Sequence, residues 1–231
     1  MKKHDKLSKI LYFTVLVSFI IPIIFLTVKI ILMSYGILDD SRNVSDYTLM
    51  LLECILGAIV IHLPAIIEHK LKFKIPKSLF ITYLVFLYCA IFLGEVRNFY
   101  YHVPHWDSIL HGLSGVLSGT FGIMMIDILN RNKKVSVSLS PLFVAVFAFC
   151  FSITIGALWE IYEFSFDGLL GLNMQKFRLG GGTQLIGRNA LSDTMKDIII
   201  DSIGAFIASV IGYINLKNAS KKAKTTDSKE F

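Results

Sequence analysis

The sequence predicts an all-α, polytopic membrane helix bundle with about six transmembrane helices and both termini in the cytoplasm. Three observations predict it. The 231 residues are 54% hydrophobic with a mean hydropathy of +0.64, too apolar for an ordinary soluble domain. The apolar residues fall into six runs of about 20 residues, the length a helix needs to cross hydrocarbon, where the backbone must satisfy its own hydrogen bonds. The basic residues punctuate these runs instead of forming a stripe, so the net charge of +6 points to membrane lipids as partners and away from nucleic acid.

The first run, Leu7–Leu32, follows a short polar start with Lys2, Lys3 and Lys6. It is too long for a signal-peptide core and no small-residue cleavage site follows, so a retained span is expected, kinked at Pro22. The other runs are Tyr47–Ile67, Leu79–Gly94, Ile109–Leu129, Leu139–Phe164 and Asp193–Leu216. Lysine and arginine set the orientation. Lys2, Lys3, Lys6 and Lys9 at the amino terminus, four lysines in the second connection, Arg131, Lys133 and Lys134 in the fourth, and five lysines in the tail make sixteen on one side against seven on the other. That asymmetry places both termini in the cytoplasm. Residues 1–216 are expected to form a single spanning domain, and the polar, basic stretch 217–231 a disordered cytoplasmic tail. Cys54, Cys89 and Cys150 lie in apolar runs without metal-type spacing, which predicts buried thiols and no disulfide framework.

Asp193, Asp197 and Asp201 recur at four-residue intervals and so share one helix face, each a turn deeper than the last. Asp107 and His111 are four apart at the outer end of the fourth span; Glu160 and Glu163 are three apart in the fifth. With alternating spans, these six carboxylates and one imidazole fall at one depth, in the extracytoplasmic leaflet. Acids in membrane segments mark functional sites by default. Helix capping accounts for Asp107 and Asp193 as well as chemistry does, but it does not account for His111, Asp197 or Asp201. Glu160 and Glu163 lie toward the carboxyl end of their run, where the helix dipole disfavours anions by about 0.3–1 kcal/mol, so a cation, an arginine or a proton is expected beside them. The expected catalytic set is Asp107, His111, Glu160, Glu163 and Asp197. The expected ligands of a divalent metal ion are His111, Glu160, Asp193 and Asp197; Asp201 belongs to neither set.

Glycines in the fourth span, the stripe Gly204, Ala208 and Gly212 in the sixth, and Ser152 with Gly156 in the fifth allow close helix approach. They would bring the acid-bearing spans together. Glu53, Glu95 and His102 lie close enough in the chain to contribute, whereas His62 reads as a hydrogen-bonded core histidine. The fifth connection carries Arg178, the triple glycine Gly180–Gly182, and Arg188. This reads as a flexible loop whose two arginines would receive a substrate anion such as phosphate; it lacks the ending of a Walker loop.

Taken in order, Trp106-Asp107-x-x-x-His111, Glu160-x-x-Glu163, Thr183-Gln184 and Asp193-Thr194-x-x-Asp197 before Gly204-Ala205 resemble the YjdF-like family of bacterial inner-membrane proteins, and are distantly similar to VanZ-like membrane proteins. The resemblance implies a multi-pass protein of a bacterial cytoplasmic membrane and implies no particular reaction. Three function classes fit the residues. One is a metal-dependent membrane enzyme acting on a lipid-linked or envelope substrate, with carboxylates neutralising the metal and His111 as ligand or general acid–base. Another is a transporter or a proton- or cation-coupled carrier, which would want a trail of ionisable groups across the membrane. The last is a structural protein whose acids pair with Arg97, Arg178, Arg188 and Lys196.

Overall fold

The structure is a computed structural model that describes residues 3–131, 139–179 and 182–227. Lys2, Lys133 and Lys134, which enter the charge asymmetry, Gly180 and Gly181 of the triple glycine, and residues 228–231 of the tail lie outside the described residues. Every regular element among the described residues is helical, with one isolated bridge between Arg178 and Gln184. The helices are α1 (Lys3–Ser34), α2 (Val44–Val60), α3 (Leu63–Leu71), α4 (Lys77–Leu87), α5 (Phe99–His102), α6 (Trp106–Arg131), α7 (Pro141–Leu170) and α8 (Arg188–Asp227). A π-helical segment, Tyr88–Val96, continues α4 without a break. Six stretches are long and apolar enough to cross a membrane: Lys6–Ser34, Val44–Lys70, Lys77–Val96, Trp106–Asn130, Pro141–Leu170 and Arg188–Lys222. Each overlies one of the predicted runs.

The differences from expectation have local causes. The second span is two helices because Pro64, which lacks an N–H, opens α3 within its first two positions and ends continuous winding at Val60. His62, at that junction, is hydrogen-bonded as expected, with Nδ1 2.9 Å from the Tyr12 hydroxyl, but it is exposed and not part of the core. Cys54 is buried, while Cys150 is exposed on α7, because its apolar run turns part of its surface outward. The helix α7 runs to Leu170, beyond the predicted end at Phe164, and α8 starts at Arg188, ahead of Asp193, and stays helical past Lys217.

The chain divides into two compact units, Met1–Leu110 with Glu160–Thr194, and His111–Trp159 with Met195–Phe231. In the first, Val15, Phe19, Cys54, Ile61, Leu84, Leu87 and Ile91 form the main apolar cluster. Gly57 admits α1 to this cluster: a Cβ there would stand 3.0 Å from the Phe19 ring. The connection after α7 is folded and not a free loop. Gly171, at φ +65°, takes the left-handed position past the helix end, and Leu172 and Met174 pack on Leu49. The Asp167 carboxylate accepts the Met174 and Gln175 N–H groups at 2.7 and 3.0 Å. Asn173 accepts the Arg178 N–H at 2.8 Å and donates to the Arg178 carbonyl and the Tyr101 hydroxyl at 2.8 and 2.9 Å.

The second unit is built on small residues. Gly204 lies against the Gly112 carbonyl and Gly115 against the Asp201 carbonyl, both too close for any side chain, and a Cβ on Gly119 would stand 3.1 Å from that of Ala208. Gly122 meets Ala148 in the same way, at 3.1 Å from its Cα. Helices that bury no large side chains between them gain dispersion contact and interhelical hydrogen bonds in lipid. One such bond is present: the Ser152 hydroxyl donates to the Gly115 carbonyl at 2.9 Å.

Candidate functional site

The close approach of α6 and α8 in the second unit sets His111 beside Asp201. His111 Nδ1 is 3.0 Å from Asp201 Oδ2, and both side chains are buried, Asp201 at 2% exposure. The Ser114 hydroxyl, one turn further along α6, donates to Asp201 Oδ1. Gly156 on α7 leaves the room that this carboxylate occupies, since a Cβ there would stand 2.7 Å from Oδ2. An ionised carboxylate only accepts, so pairing with Asp201 in that form places a hydrogen on Nδ1. His111 offers a ligand atom within 4.8 Å of one on buried Asp197, a turn before Asp201 on α8, and Asp107 stands a turn before His111 in the sequence of α6. An imidazole held by one carboxylate, with a second carboxylate close by, is the kind of donor set that suits a divalent cation.

Of the expected metal ligands, His111 and Asp197 lie together in the second unit, whereas Glu160 and Asp193, like Asp107, belong to the first. Glu160 is buried and Glu163 half-buried on α7, ahead of Leu170. The dipole at a helix end acts over the last turn, and with α7 extended these two acids stand clear of it. Asp167 is the acid nearest that end, and two backbone N–H groups satisfy it. Asp193 is half-buried in the second turn of α8, and Asp107 lies in the first turn of α6 behind Trp106; Asp193 is therefore too far inside its helix to cap it. Arg178 is half-buried, with Nη2 donating to the Gly171 and Leu172 carbonyls, and Arg188 is exposed as the first residue of α8.

A second polar centre lies in the first unit. Glu95, on the π-helical segment and 3% exposed, forms an ion pair with Lys176, whose ammonium also stands 4.6 Å from the Tyr100 ring centroid. Glu53 is buried on α2 within electrostatic reach of both. Burial works to lower the Lys176 pKa, but the Glu95 and Glu53 carboxylates outweigh it and hold the ammonium above the ordinary lysine range. Burial, then the carboxylates of Glu53, Asp107 and Glu95, raises the Tyr100 phenol well above its ordinary value.

The model of a family described as "Predicted membrane protein (DUF2238)" matches residues 7–218. The chain belongs to that family. This DUF2238 protein is 30% identical over 155 residues to an uncharacterized protein of Thermotoga maritima, a match covering 65% of this chain and 69% of the other. No solved structure matches the chain. The match meets the expectation of a membrane-protein family drawn from the ordered acid and histidine motifs, and it does not extend to VanZ-like proteins. The matched region contains every expected site residue, from Asp107 to Asp197, and also Asp201.

Proposed function

We propose that this DUF2238 protein is a metal-dependent enzyme of a bacterial cytoplasmic membrane, with both termini inside and its acid–histidine site toward the outer face, acting on a lipid-linked or envelope substrate. The observation that carries the reading is the buried His111–Asp201 hydrogen bond beside buried Asp197, an imidazole held by one carboxylate with a second within ligand distance. In this reading Asp107, His111 and Asp197 hold a divalent cation, and Asp201 with Ser114 holds His111 in its tautomer and angle. The cation, when bound, supplies Lewis acidity against which a phosphoryl or carbonyl oxygen is polarised. Glu160 and Glu163 are the proposed proton carriers, Asp193 an outer acid on the approach to Asp197, and Arg178 and Arg188 the cations for the substrate's anionic group.

Metal binding tests it. The purified full chain, stripped and reloaded with Mn²⁺ or Zn²⁺, is expected to retain about one ion per chain, and Asp197→Ala and His111→Ala are expected to lose it while still inserting. Asp201→Asn should bind roughly 10–100-fold more weakly, as loss of an orienting partner does. Wild-type protein that holds no ion, or Asp197→Ala that holds it as tightly, would sink the proposal.

An ion-coupled carrier is a second reading, favoured by the buried Glu53, Glu95 and Lys176 of the first unit. It expects Glu53→Gln to abolish proton- or cation-driven uptake in vesicles with metal retention at His111 unchanged.

A further inference from the structure

The first unit contains a cavity of about 610 Å³, within the size range of small-molecule sites, of whose lining the acid–histidine reading uses only Arg178. Its cationic and amide lining comes from three connections: Arg42 from the one between α1 and α2, Asn98 and His102 from the one before α6, and Arg178 from the one after α7; of its two acids, Glu95 is neutralised by Lys176 and Asp46 stands on α2. In a chain of six successive spans these are the first, third and fifth connections, which emerge on one side of a membrane.

These cations are held in place. The Asp40 carboxylate accepts from Lys29 Nζ at 2.6 Å and from the Arg42 backbone N–H at 3.1 Å, which fixes the main chain at Arg42. With the Asn98 amide turned so that its oxygen faces Arg42, that oxygen accepts from the guanidinium Nη1 and Nη2 at 3.2 and 2.8 Å. Arg178 is anchored through Nη2 to the Gly171 and Leu172 carbonyls at 3.1 and 2.9 Å, which leaves its Nε and Nη1 donors for another partner. His102 Nδ1 lies 2.9 Å from the Asn98 carbonyl, so Nε2 is the nitrogen left to a ligand.

The same connections expose apolar side chains. Ile37 is 72% and Ile186 81% exposed, and Leu179, which lines the cavity, 49%. Guanidinium groups beside outward apolar residues, at the ends of spanning helices, match the level at which phosphates stand above hydrocarbon. Asp46 also lines the cavity and suits an amine carried next to a phosphate.

We propose that this cavity binds a phosphate-bearing headgroup, with Arg42 and Arg178 on the phosphate oxygens and His102 beside them. The inference does not rest on a cation at His111. The test uses the full chain in detergent with a chelator present, so that failure of metal binding leaves it untouched. The probes are dihexanoyl phosphatidylglycerol, dihexanoylglycerol and glycerol 3-phosphate. The first is expected to bind and the second, lacking the phosphate, not to. Arg42→Gln is expected to weaken binding at least tenfold with unfolding temperature unchanged. Asn98→Gly, which keeps a backbone of φ +59° and removes the amide steering Arg42, is expected to weaken it severalfold. Displacement of the lipid by glycerol 3-phosphate at similar concentration would assign a soluble phosphate ester, and absence of displacement a lipid. Equal binding of dihexanoylglycerol, or unchanged affinity in both variants, overturns the proposal.

Discussion

The Lys176→Met variant is expected to lose about 3–5 kcal/mol of stability, the range seen when one partner of a buried ion pair is removed and the other is left unbalanced. Glu95 is 3% exposed and Glu53 is buried close by, so without the ammonium both carboxylates face burial and each other. Equilibrium unfolding in mixed micelles measures the loss. Adding Glu95→Gln should recover much of it, because replacing both partners of a buried pair costs far less than breaking it. The pH dependence has a definite sign. The folded Lys176 pKa is raised, so its contribution is complete below the unfolded lysine value of about 10.4 and fades as pH climbs through the higher folded value. The variant should therefore lose the same increment from neutral pH to about pH 10, and wild type should converge on it only in stronger alkali. A loss under about 1 kcal/mol, the worth of an exposed pair, would mean that water screens this one.

Gly115→Leu is expected to keep α6 and α8 of the second unit from meeting. A Cβ at Gly115 already overlaps the Asp201 carbonyl and comes within 3.1 Å of the Ala205 nitrogen. These are main-chain atoms that cannot rotate away, so the helices must part and the His111–Asp201 bond must open. Gly115→Ala should cost about 1–3 kcal/mol by overpacking, and the leucine more. Gly168→Ala is the control, since no atom stands within 4 Å of a Cβ there; its stability should stay within about 0.5 kcal/mol or rise through helix propensity. Folded yield after extraction, scored by size-exclusion profile, separates the outcomes, and a Gly115→Leu protein that elutes like wild type would remove the argument.

The spans were legible because hydrocarbon demands apolar length and little else. Four-residue spacing also sufficed to set Asp107 with His111 on one face of α6 and Asp193, Asp197 and Asp201 on one face of α8. What periodicity does not contain is which neighbour a face meets. Asp201 fell outside both expected sets as the deepest acid, yet it is the residue that holds His111, and the signal for it was present in the glycines Gly115 and Gly156, whose missing side chains make its space. Lys176 counted only as a charge in a connection; its pairing with Glu95 needs the fold-back after α7 that Asp167 and Gly171 impose. The π-helical winding of Tyr88–Val96 left no trace in composition, since those residues are as apolar as the α4 turns before them. Glu160 and Glu163 stand clear of the helix end because Asp167-Gly-Leu-Leu170 continues as helix where a fall in apolar content suggests an end.

The length of α8 acts as a ruler. Its 40 residues would measure about 60 Å, against roughly 30 Å of hydrocarbon. Its predominantly apolar centre, Ile198–Leu216, in which Asp201 is the one charged residue, covers about 28 Å of that, leaving polar turns over at each end. Asp197 then marks the boundary plane between water and hydrocarbon, and Asp201 lies only about 6 Å beneath it. In that register the buried His111–Asp201 pair lies within about one or two helical turns of the polar end of the span.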